Sequence, residues 1–267
     1  MSETAVSYAV EVKNLSAVYG ERTVLKQLSF AVPPGQIVSI LGPSGCGKST
    51  LLKHLIGLYA PTSGDILLHG RSIVYAADQE RREIMQHFGV AYQSGALFRS
   101  MTVGENIALP LQEYTSFSSS QIREKVREKL SLVGLGGKED VMPSQLSGGM
   151  IKRAAFARAM ALDPEILFFD EPSAGLDPLS SRSLDRLILN IREKTNTTIL
   201  VVTHELESIF TISDRAIMLS PETKGIIADG TLSELLETGN AFVQEFLTRG
   251  KQASPDNIQE YLQENHS

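Results

Sequence analysis

The residues Gly42-Pro-Ser-Gly-Cys-Gly-Lys-Ser49 follow directly on a short apolar run, Ile37 to Leu41. They match the phosphate-binding loop pattern, in which two glycines are followed by a lysine and a hydroxyl residue. Small residues let backbone N–H groups close around phosphate oxygens, and a helix from about Lys48 would add its positive N-terminal dipole. Lys48 would reach the β- and γ-phosphates, and the Ser49 hydroxyl would bind Mg²⁺. A strand, loop and helix in this order predict nucleotide binding.

Two further apolar runs, Ile166 to Asp170 and Ile199 to Thr203, share the character of the first. Such runs predict strands buried on both faces, as in a parallel sheet covered by helices. Glu171 follows the first of them and His204 the second. Because ligands of open α/β sheets bind beyond the carboxyl ends of the strands, we expect one site at this edge. There Asp170 is placed to hold Mg²⁺, and Glu171 to polarise an attacking water.

The remaining pattern predicts two additional layers. Short strands around a turn at Tyr19-Gly-Glu21, followed by a strand from Gly64 to Gly70, indicate an antiparallel β layer. Between Gly95 and Asp163 the pattern is helical, with a capping box at Ser118 and Gln121. We therefore expect an α/β fold: a P-loop NTPase (RecA-like) core with an antiparallel β subdomain and an inserted α-helical subdomain.

Composition excludes several classes of protein. The chain has 267 residues with 42% apolar and 21% charged residues, which is typical of globular domains. Its formal net charge of −6 argues against nucleic acid as a partner, and its single cysteine, Cys46, excludes a disulfide scaffold and a thiolate cluster. No apolar run reaches the ~18 residues needed to span a bilayer, and the start lacks a signal-peptide pattern. We expect a cytosolic protein whose membrane role, if it has one, depends on another chain. The remaining histidines show no metal-binding spacing: His54, His69, His87 and His266.

A second glycine pair, in Ser147-Gly-Gly149, precedes the alanine-rich segment Ala154 to Ala161. Glycines at a helix N-terminus form another anion site. Since the first loop already cradles one nucleotide, two such sites on different subdomains imply two copies arranged head to tail. Each copy's Ser147 to Gly149 would then close on the γ-phosphate held by the other.

With these motifs the sequence strongly resembles the ATP-binding subunits of ATP-binding cassette (ABC) transporters, from about Val10 to Leu247. The resemblance implies ATP as substrate, and it implies a role for each matching position. Tyr19 would stack on adenine, and Gln93 would sense Mg²⁺ and water. Glu171 would be the catalytic base and His204 would contact the γ-phosphate. The other implied ATP contacts are Gly42, Pro43, Ser44, Gly45, Cys46, Gly47, Lys48, Ser49 and Thr50, with Ser49, Gln93 and Asp170 as Mg²⁺ ligands.

The resemblance also implies a homodimer with composite ATP sites. The signature segment acting on the other copy would be Ser147, Gly148, Gly149 and Met150, and Asp177 would belong to a loop crossing the dimer interface. The expected domain is an ATPase of residues 8–248. Its core and β subdomain occupy 8–94 and 163–248, and its helical signature subdomain occupies 95–162.

The usual signature ends in glutamine, whereas this chain has Met150. Together with the segments Gln93 to Phe98 and Met101 to Ile107, this variant resembles ATPases of the lipid-trafficking branch. These power permeases that work with MCE-domain proteins, the Mla (maintenance of lipid asymmetry) type. One alternative is that the chain is the ATPase of an importer for amino acids or another small solute, and that its signature has drifted from the usual sequence. A different class is a soluble cassette ATPase not coupled to transport.

For the lipid branch the implied partners are transmembrane permease subunits, an MCE-domain protein and a small STAS-domain regulator. The chain would then be peripheral on the cytoplasmic face of the inner membrane. The tail, residues 249–267, is expected to carry a short docking helix opening at Ser254-Pro255, with Ile258, Tyr261 and Leu262 on one face. A frayed tail is the alternative, because a helix of about ten residues is marginal alone in water.

Overall fold

The computed structural model describes residues 8–248. The predicted tail helix, in residues 249–267, lies outside the described residues. The strands are β1 (Val10–Tyr19), β2 (Arg22–Val32), β3 (Ile37–Leu41), β4 (Ser63–Leu68), β5 (Arg71–Ser72), β6 (Phe88–Ala91), β7 (Ile166–Asp170), β8 (Thr198–Val202), β9 (Arg215–Leu219) and β10 (Ile226–Gly230). The helices are α1 (Lys48–Leu55), α2 (Asp78–Gln86), α3 (Val103–Tyr114), α4 (Ser119–Leu132), α5 (Gly148–Ala159), α6 (Pro178–Thr195), α7 (Leu206–Ile212), α8 (Leu232–Thr238) and α9 (Ala241–Leu247).

The main sheet has six strands in the order β10-β9-β3-β8-β7-β6. All neighbouring pairs are parallel except β10 with β9, which is antiparallel. The three predicted strands, now β3, β7 and β8, lie side by side at its centre, and nearly all of their residues are buried. Alternate side chains of these strands enter two separate cores, one on each face of the sheet. The expectation of a parallel sheet covered on both faces is confirmed.

The antiparallel layer has the order β2-β1-β4-β5 and packs with α1 on one face of the main sheet. The prediction of short strands between Tyr8 and Val32 is wrong in one respect. The chain forms two long strands of 10 and 11 residues joined by a tight turn at Gly20-Glu21. Register shifts interrupt their pairing, for example between Val12 and Leu15. These irregularities break the regular alternation of polar and apolar residues, so the pattern understates the strand length.

Helices α3, α4 and α5 fill the segment between β6 and β7 and pack on the other face of the sheet. The capping box is present at α4: Ser118 and Gln121 exchange side-chain and backbone hydrogen bonds. Helix α5 approaches the sheet closely, since a Cβ at Gly89 of β6 would lie 1.9 Å from the carbonyl oxygen of Ala159. Phe156 of α5 stacks on Phe169 of β7 with ring centroids 4.1 Å apart. Helix α5 is thus anchored to two strands that lead into the site.

Helices α7, α8 and α9 form a third, smaller hydrophobic core with β9, near the β10 edge of the main sheet. Within residues 8–248, no helix combines the length and the apolar character that crossing a bilayer requires.

Candidate nucleotide-binding site

A cavity of about 810 Å³ opens at the carboxyl edge of the main sheet. Its size lies in the usual range for small-molecule sites. The segments following four strands, β3, β6, β7 and β8, contribute to it. It is lined by Arg22, Val24, Gly42, Pro43, Ser44, Gly45, Gly47, Lys48, Ser49, Thr50, Gln93, Asp170, Glu171, His204, Leu206 and Phe246. The expectation that separate strands deliver polar residues to one edge is therefore met.

The loop between β3 and α1 requires glycine at two positions for steric reasons. Gly42 has φ 137°, and a Cβ there would lie 2.4 Å from the carbonyl oxygen of Leu219. Gly47 has φ 108°, and a Cβ there would lie 2.6 Å from the side chain of Leu25. Gly47 is also the N-cap of α1, and no side chain caps this helix. The first backbone N–H groups of α1 are thus available to an anion.

Lys48 lies across this loop. Its Nζ donates hydrogen bonds to the carbonyl oxygens of Gly42 at 2.7 Å and Pro43 at 3.2 Å. The Cys46 side chain is buried behind the loop, and burial raises the pKa of its thiol. Cys46, which the resemblance implies as an ATP contact, is the one residue from Gly42 to Thr50 that does not line the cavity.

Glu171 and His204 both line the cavity and contact each other. His204 Nδ1 and Glu171 Oε1 are 2.8 Å apart, and the Glu171 side chain is 14% exposed. The Glu171 backbone has φ 46°, in the left-handed region, and its N–H donates to the Val202 carbonyl oxygen at 2.7 Å. The second carboxylate oxygen, Oε2, is buried and has no hydrogen-bond partner within residues 8–248. Such an unpaired carboxylate oxygen can accept a further hydrogen bond, although it has no surface open to solvent in this structure.

The cavity also gathers a set of oxygen-bearing side chains, from Ser49, Gln93 and Asp170. Burial, followed by the neighbouring Glu171 carboxylate, raises the pKa of Asp170. A bound cation would stabilise the ionised form of such a carboxylate. Mg²⁺ prefers oxygen ligands and retains several waters, so this donor set fits that ion.

The predicted signature segment does not line this cavity. Ser147 is the N-cap of α5, and its Oγ accepts a hydrogen bond from the Met150 N–H at 3.3 Å. Gly148 is exposed and Gly149 partly so. Asp177 is the N-cap of α6, with its side chain accepting from the Ser180 N–H at 3.0 Å. Both segments therefore place the N-terminus of a helix at the protein surface. Neither segment lines the cavity formed by the phosphate-binding loop of its own chain.

Tyr19, the residue implied to stack on adenine, does not line the cavity either. Its hydroxyl lies 3.2 Å from His54 Nε2, and its ring contacts His54 and Tyr59. Burial lowers the pKa of His54, which also contacts the Tyr59 carbonyl oxygen through Nδ1 at 2.8 Å. Among the described residues, no group of three His, Cys, Asp or Glu side chains is arranged to hold a metal.

Sequence reasoning missed Lys152. This residue is 6% exposed, and its Nζ donates to the carbonyl oxygens of Gln93 and Glu171, the latter at 3.2 Å. Burial lowers the pKa of Lys152, while the carboxylates of Glu171 and Asp170 act in the opposite direction. The sequence signal that could have identified Lys152 is its helical spacing, which places it on the same helix face as Phe156 and Ala159.

Comparison with known proteins places the chain in a family. A family model described as ABC transporter matches residues 25–174. The probable ribonucleotide transport ATP-binding protein mkl of Mycobacterium leprae is 42% identical, over 94% of this chain and 72% of that protein. The intermembrane phospholipid transport system ATP-binding protein MlaF of Haemophilus influenzae is 41% identical, over 92% of both chains. MlaF of Escherichia coli K12 is 38% identical, over 92% of this chain and 90% of that one.

Solved structures give the same result. A dimeric ATP-binding cassette in a post-hydrolysis state bound to ADP and Pi is 31% identical, with a TM-score of 0.76, over 84% of this chain and 98% of that one. The cbiO1 protein of Clostridium perfringens, part of the ABC transporter complex cbiONQ, is 25% identical with a TM-score of 0.79, over 96% of this chain and 99% of that one. Its sequence, its fold and its nucleotide site all lead to one conclusion: the chain belongs to the ABC transporter family and is one of the family's ATPase subunits.

Proposed function

We propose that this chain is the ATPase subunit of a transporter that moves phospholipids between membranes. The MlaF relatives support this proposal, because they match more than nine-tenths of this chain at 38–41% identity. The Met150 signature and the segments 93–98 and 101–107 point to the same branch. The single observation that carries the catalytic part is the meeting of Lys48, Glu171 and His204 around one cavity at the sheet edge.

The proposed chemistry is attack of water on the γ-phosphate of ATP. Lys48 and the N–H groups at the start of α1 hold the phosphates and compensate their negative charge. Glu171 Oε2 accepts the proton of the attacking water. His204 holds the other carboxylate oxygen through Nδ1, which fixes the direction in which Oε2 points. Mg²⁺, held by Ser49, Gln93 and Asp170, would neutralise charge on the phosphate oxygens.

The proposed assembly is a homodimer with two composite sites. Ser147, Gly148, Gly149 and Met150 of one copy would close on the nucleotide held by Lys48 of the other, and Asp177 would lie in the interface. The dimeric cassettes among the solved relatives support this arrangement. ATP joins the two copies in the proposed cycle, and hydrolysis separates them.

The motion would pass through the helical subdomain of residues 95–162 to transmembrane permease subunits. We include in the complex an MCE-domain protein and a small STAS-domain regulator. The chain would then be peripheral on the cytoplasmic face of the inner membrane.

Glu171→Gln tests the catalytic assignment. Because the amide cannot accept the proton, we expect ATP turnover to fall by about 10²- to 10⁴-fold while ATP binding persists. The measurement is ATPase activity of the complex together with binding of radiolabelled ATP. Glu193→Gln, the same chemical change at an exposed position on α6, is the control and should leave both unchanged. Turnover at the wild-type rate by Glu171→Gln would remove Glu171 as the base.

A second candidate cargo is a ribonucleotide, because relatives named for ribonucleotide transport are 41–42% identical. An amino acid or another small solute, carried by an importer, is a third candidate cargo. Isolating the intact complex from membranes and identifying bound molecules by mass spectrometry separates these cases. We expect phospholipid. A bound ribonucleotide or solute would overturn the lipid assignment, and absence of any co-purifying permease would favour a soluble ATPase.

A further inference from the structure

Two residues at the start of helix α5, separated by about one and a half turns, serve two different parts of the proposed nucleotide-binding site. Its N-cap, Ser147, belongs to the segment proposed to serve the other copy's nucleotide. Five residues later, Lys152 contacts two segments of its own chain, the Gln93 and Glu171 carbonyls. These two segments follow β6 and β7 and line the cavity.

The contact at Glu171 supports a strained backbone. Glu171 is a non-glycine residue at φ 46°, a conformation that persists only where its surroundings stabilise it. Three hydrogen bonds hold the backbone of this residue: its N–H donates to the Val202 carbonyl oxygen, and its carbonyl oxygen accepts from the Ala174 N–H and from Lys152 Nζ, both at 3.2 Å. The direction of the Glu171 side chain depends on this backbone.

The segment after Gln93 is also held by α5. A Cβ at Gly95 would lie 2.7 Å from the Ile151 side chain, so the two are in close contact. Arg158 donates to the carbonyl oxygens of Ala96 at 2.7 Å and Gly95 at 3.3 Å. Among these side chains, Lys152 alone also bonds to Glu171.

The geometry points to Lys152 as a positioning residue for hydrolysis: it fixes Gln93 and Glu171 of its own chain to the signature helix. Helix α5 thereby belongs to two hydrolytic centres, through its N-terminus to that of the partner copy and through Lys152 to its own. This inference rests on the proposed roles of Gln93 and Glu171. Lys152 acts through two carbonyl oxygens and does not line the cavity, so the inferred role is positioning and not contact with the nucleotide.

Lys152→Met tests the inference, because it keeps the length of the side chain and removes the donor. We expect kcat for ATP to fall by about 10- to 100-fold, as for a misplaced catalytic group, with little change in KM. Lys152→Gln, which keeps a neutral donor, should recover part of kcat. Hydrogen exchange of peptides covering residues 92–97 and 170–175 should become faster in Lys152→Met, with the β7 core unchanged.

Lys129→Met is the matched control. Lys129 is a buried lysine, 3% exposed, that pairs with Glu128 and Asp163 away from the cavity. Its loss should lower the thermal midpoint without lowering kcat of the folded fraction. The inference is overturned if Lys152→Met keeps kcat within about twofold of wild type, loses no more kcat than Lys129→Met, or leaves hydrogen exchange at both segments unchanged. Failure of the proposed function is separate, since it would show as normal turnover by Glu171→Gln.

Discussion

At the scale of single residues, the site depends on one pair of side chains. His204 is 58% exposed at its side chain, yet it is fixed by a 2.8 Å contact to the buried Glu171 carboxylate. The other Glu171 oxygen has no hydrogen-bond partner within residues 8–248. The carboxylate is thus oriented through one oxygen, while its other oxygen is left unpaired. The histidine acts on the proposed base rather than replacing it.

His204→Ala removes this orientation. We expect ATP turnover to fall by about 10²-fold while ATP binding changes little, because the phosphate-binding loop is intact. The measurement is steady-state ATPase kinetics with parallel ATP titration. His69→Ala changes a histidine that contacts Glu165 outside the cavity, and it should have no effect on turnover. Loss of ATP binding with normal turnover per bound nucleotide would contradict the assigned role.

The positions of site residues could be predicted where they depend on short local patterns. The loop from Gly42 to Ser49 and the acids at the end of β7, Asp170 and Glu171, are each contiguous in sequence, and all of these residues except Cys46 line the cavity. The hydrogen bonds of Lys152 could not be predicted, because they join residues 59 and 19 positions apart. Tyr19 illustrates a different limit of prediction. The resemblance implies that its ring contacts the ligand, whereas in the structure the ring packs against His54 and Tyr59.

At the scale of elements, a buried carboxyl group joins α6 to α7. Asp185 is 2% exposed, and its Oδ2 accepts a hydrogen bond from Ser208 Oγ at 3.0 Å. Burial raises the pKa of Asp185 to about 6, with smaller contributions from Glu207 and Glu205. Helix α6 follows the Asp177 loop and α7 follows His204, so this contact links two segments near the site.

Asp185→Asn tests the energetic effect of this burial. An unfolded aspartate has a pKa of about 3.9, so the folded state binds the proton more tightly and wild-type stability falls as the pH rises through about 4 to 6. The loss amounts to at most about 3 kcal/mol. Asparagine does not titrate. The free energy of unfolding of the variant, relative to that of wild type, should therefore be higher by about 1–3 kcal/mol at pH 8 than at pH 4.

Urea unfolding at both pH values measures this difference. Asp140→Asn, at an exposed position, should show no such pH dependence. Equal effects of Asp185→Asn at pH 4 and pH 8 would show that folding does not raise the pKa of Asp185.

Element types could be predicted where burial leaves a simple pattern in the sequence. The central strands are continuous apolar runs because both of their faces are buried, and α4 shows helical spacing with a capping box because one of its faces packs into a core. The lengths of β1 and β2 were not, because bulges set by pairing with another strand shift the alternation. The boundaries of the helical subdomain, 95–162, stay a prediction.

At the scale of the whole molecule, the phosphate-binding loop and the proposed signature segment of one chain lie apart. Lys48 lines the cavity, whereas Gly148 and Gly149 open α5 outside it. In the proposed dimer, a hydrolytic centre that uses both segments therefore takes them from two copies. This sharing is the central claim, and it makes a prediction about mixtures of inactive variants.

Two variants provide the test. Lys48→Ala removes the phosphate contact of one copy. Gly149→Asp places a negative charge at the start of α5, where a Cβ would come no closer than 3.9 Å to Ser180 and therefore fits. Gly136→Asp, at an open position with no atom within 4 Å of a Cβ, is the matched control and should be fully active.

The decisive measurement is ATP turnover by a one-to-one mixture of Lys48→Ala and Gly149→Asp full-length chains. Each variant alone should be nearly inactive. In a two-fold symmetric dimer the mixed pairs hold one centre with an intact loop and an intact signature, so the mixture should regain up to about a quarter of wild-type turnover. A mixture no more active than the two variants measured separately would show that each copy hydrolyses ATP without the other.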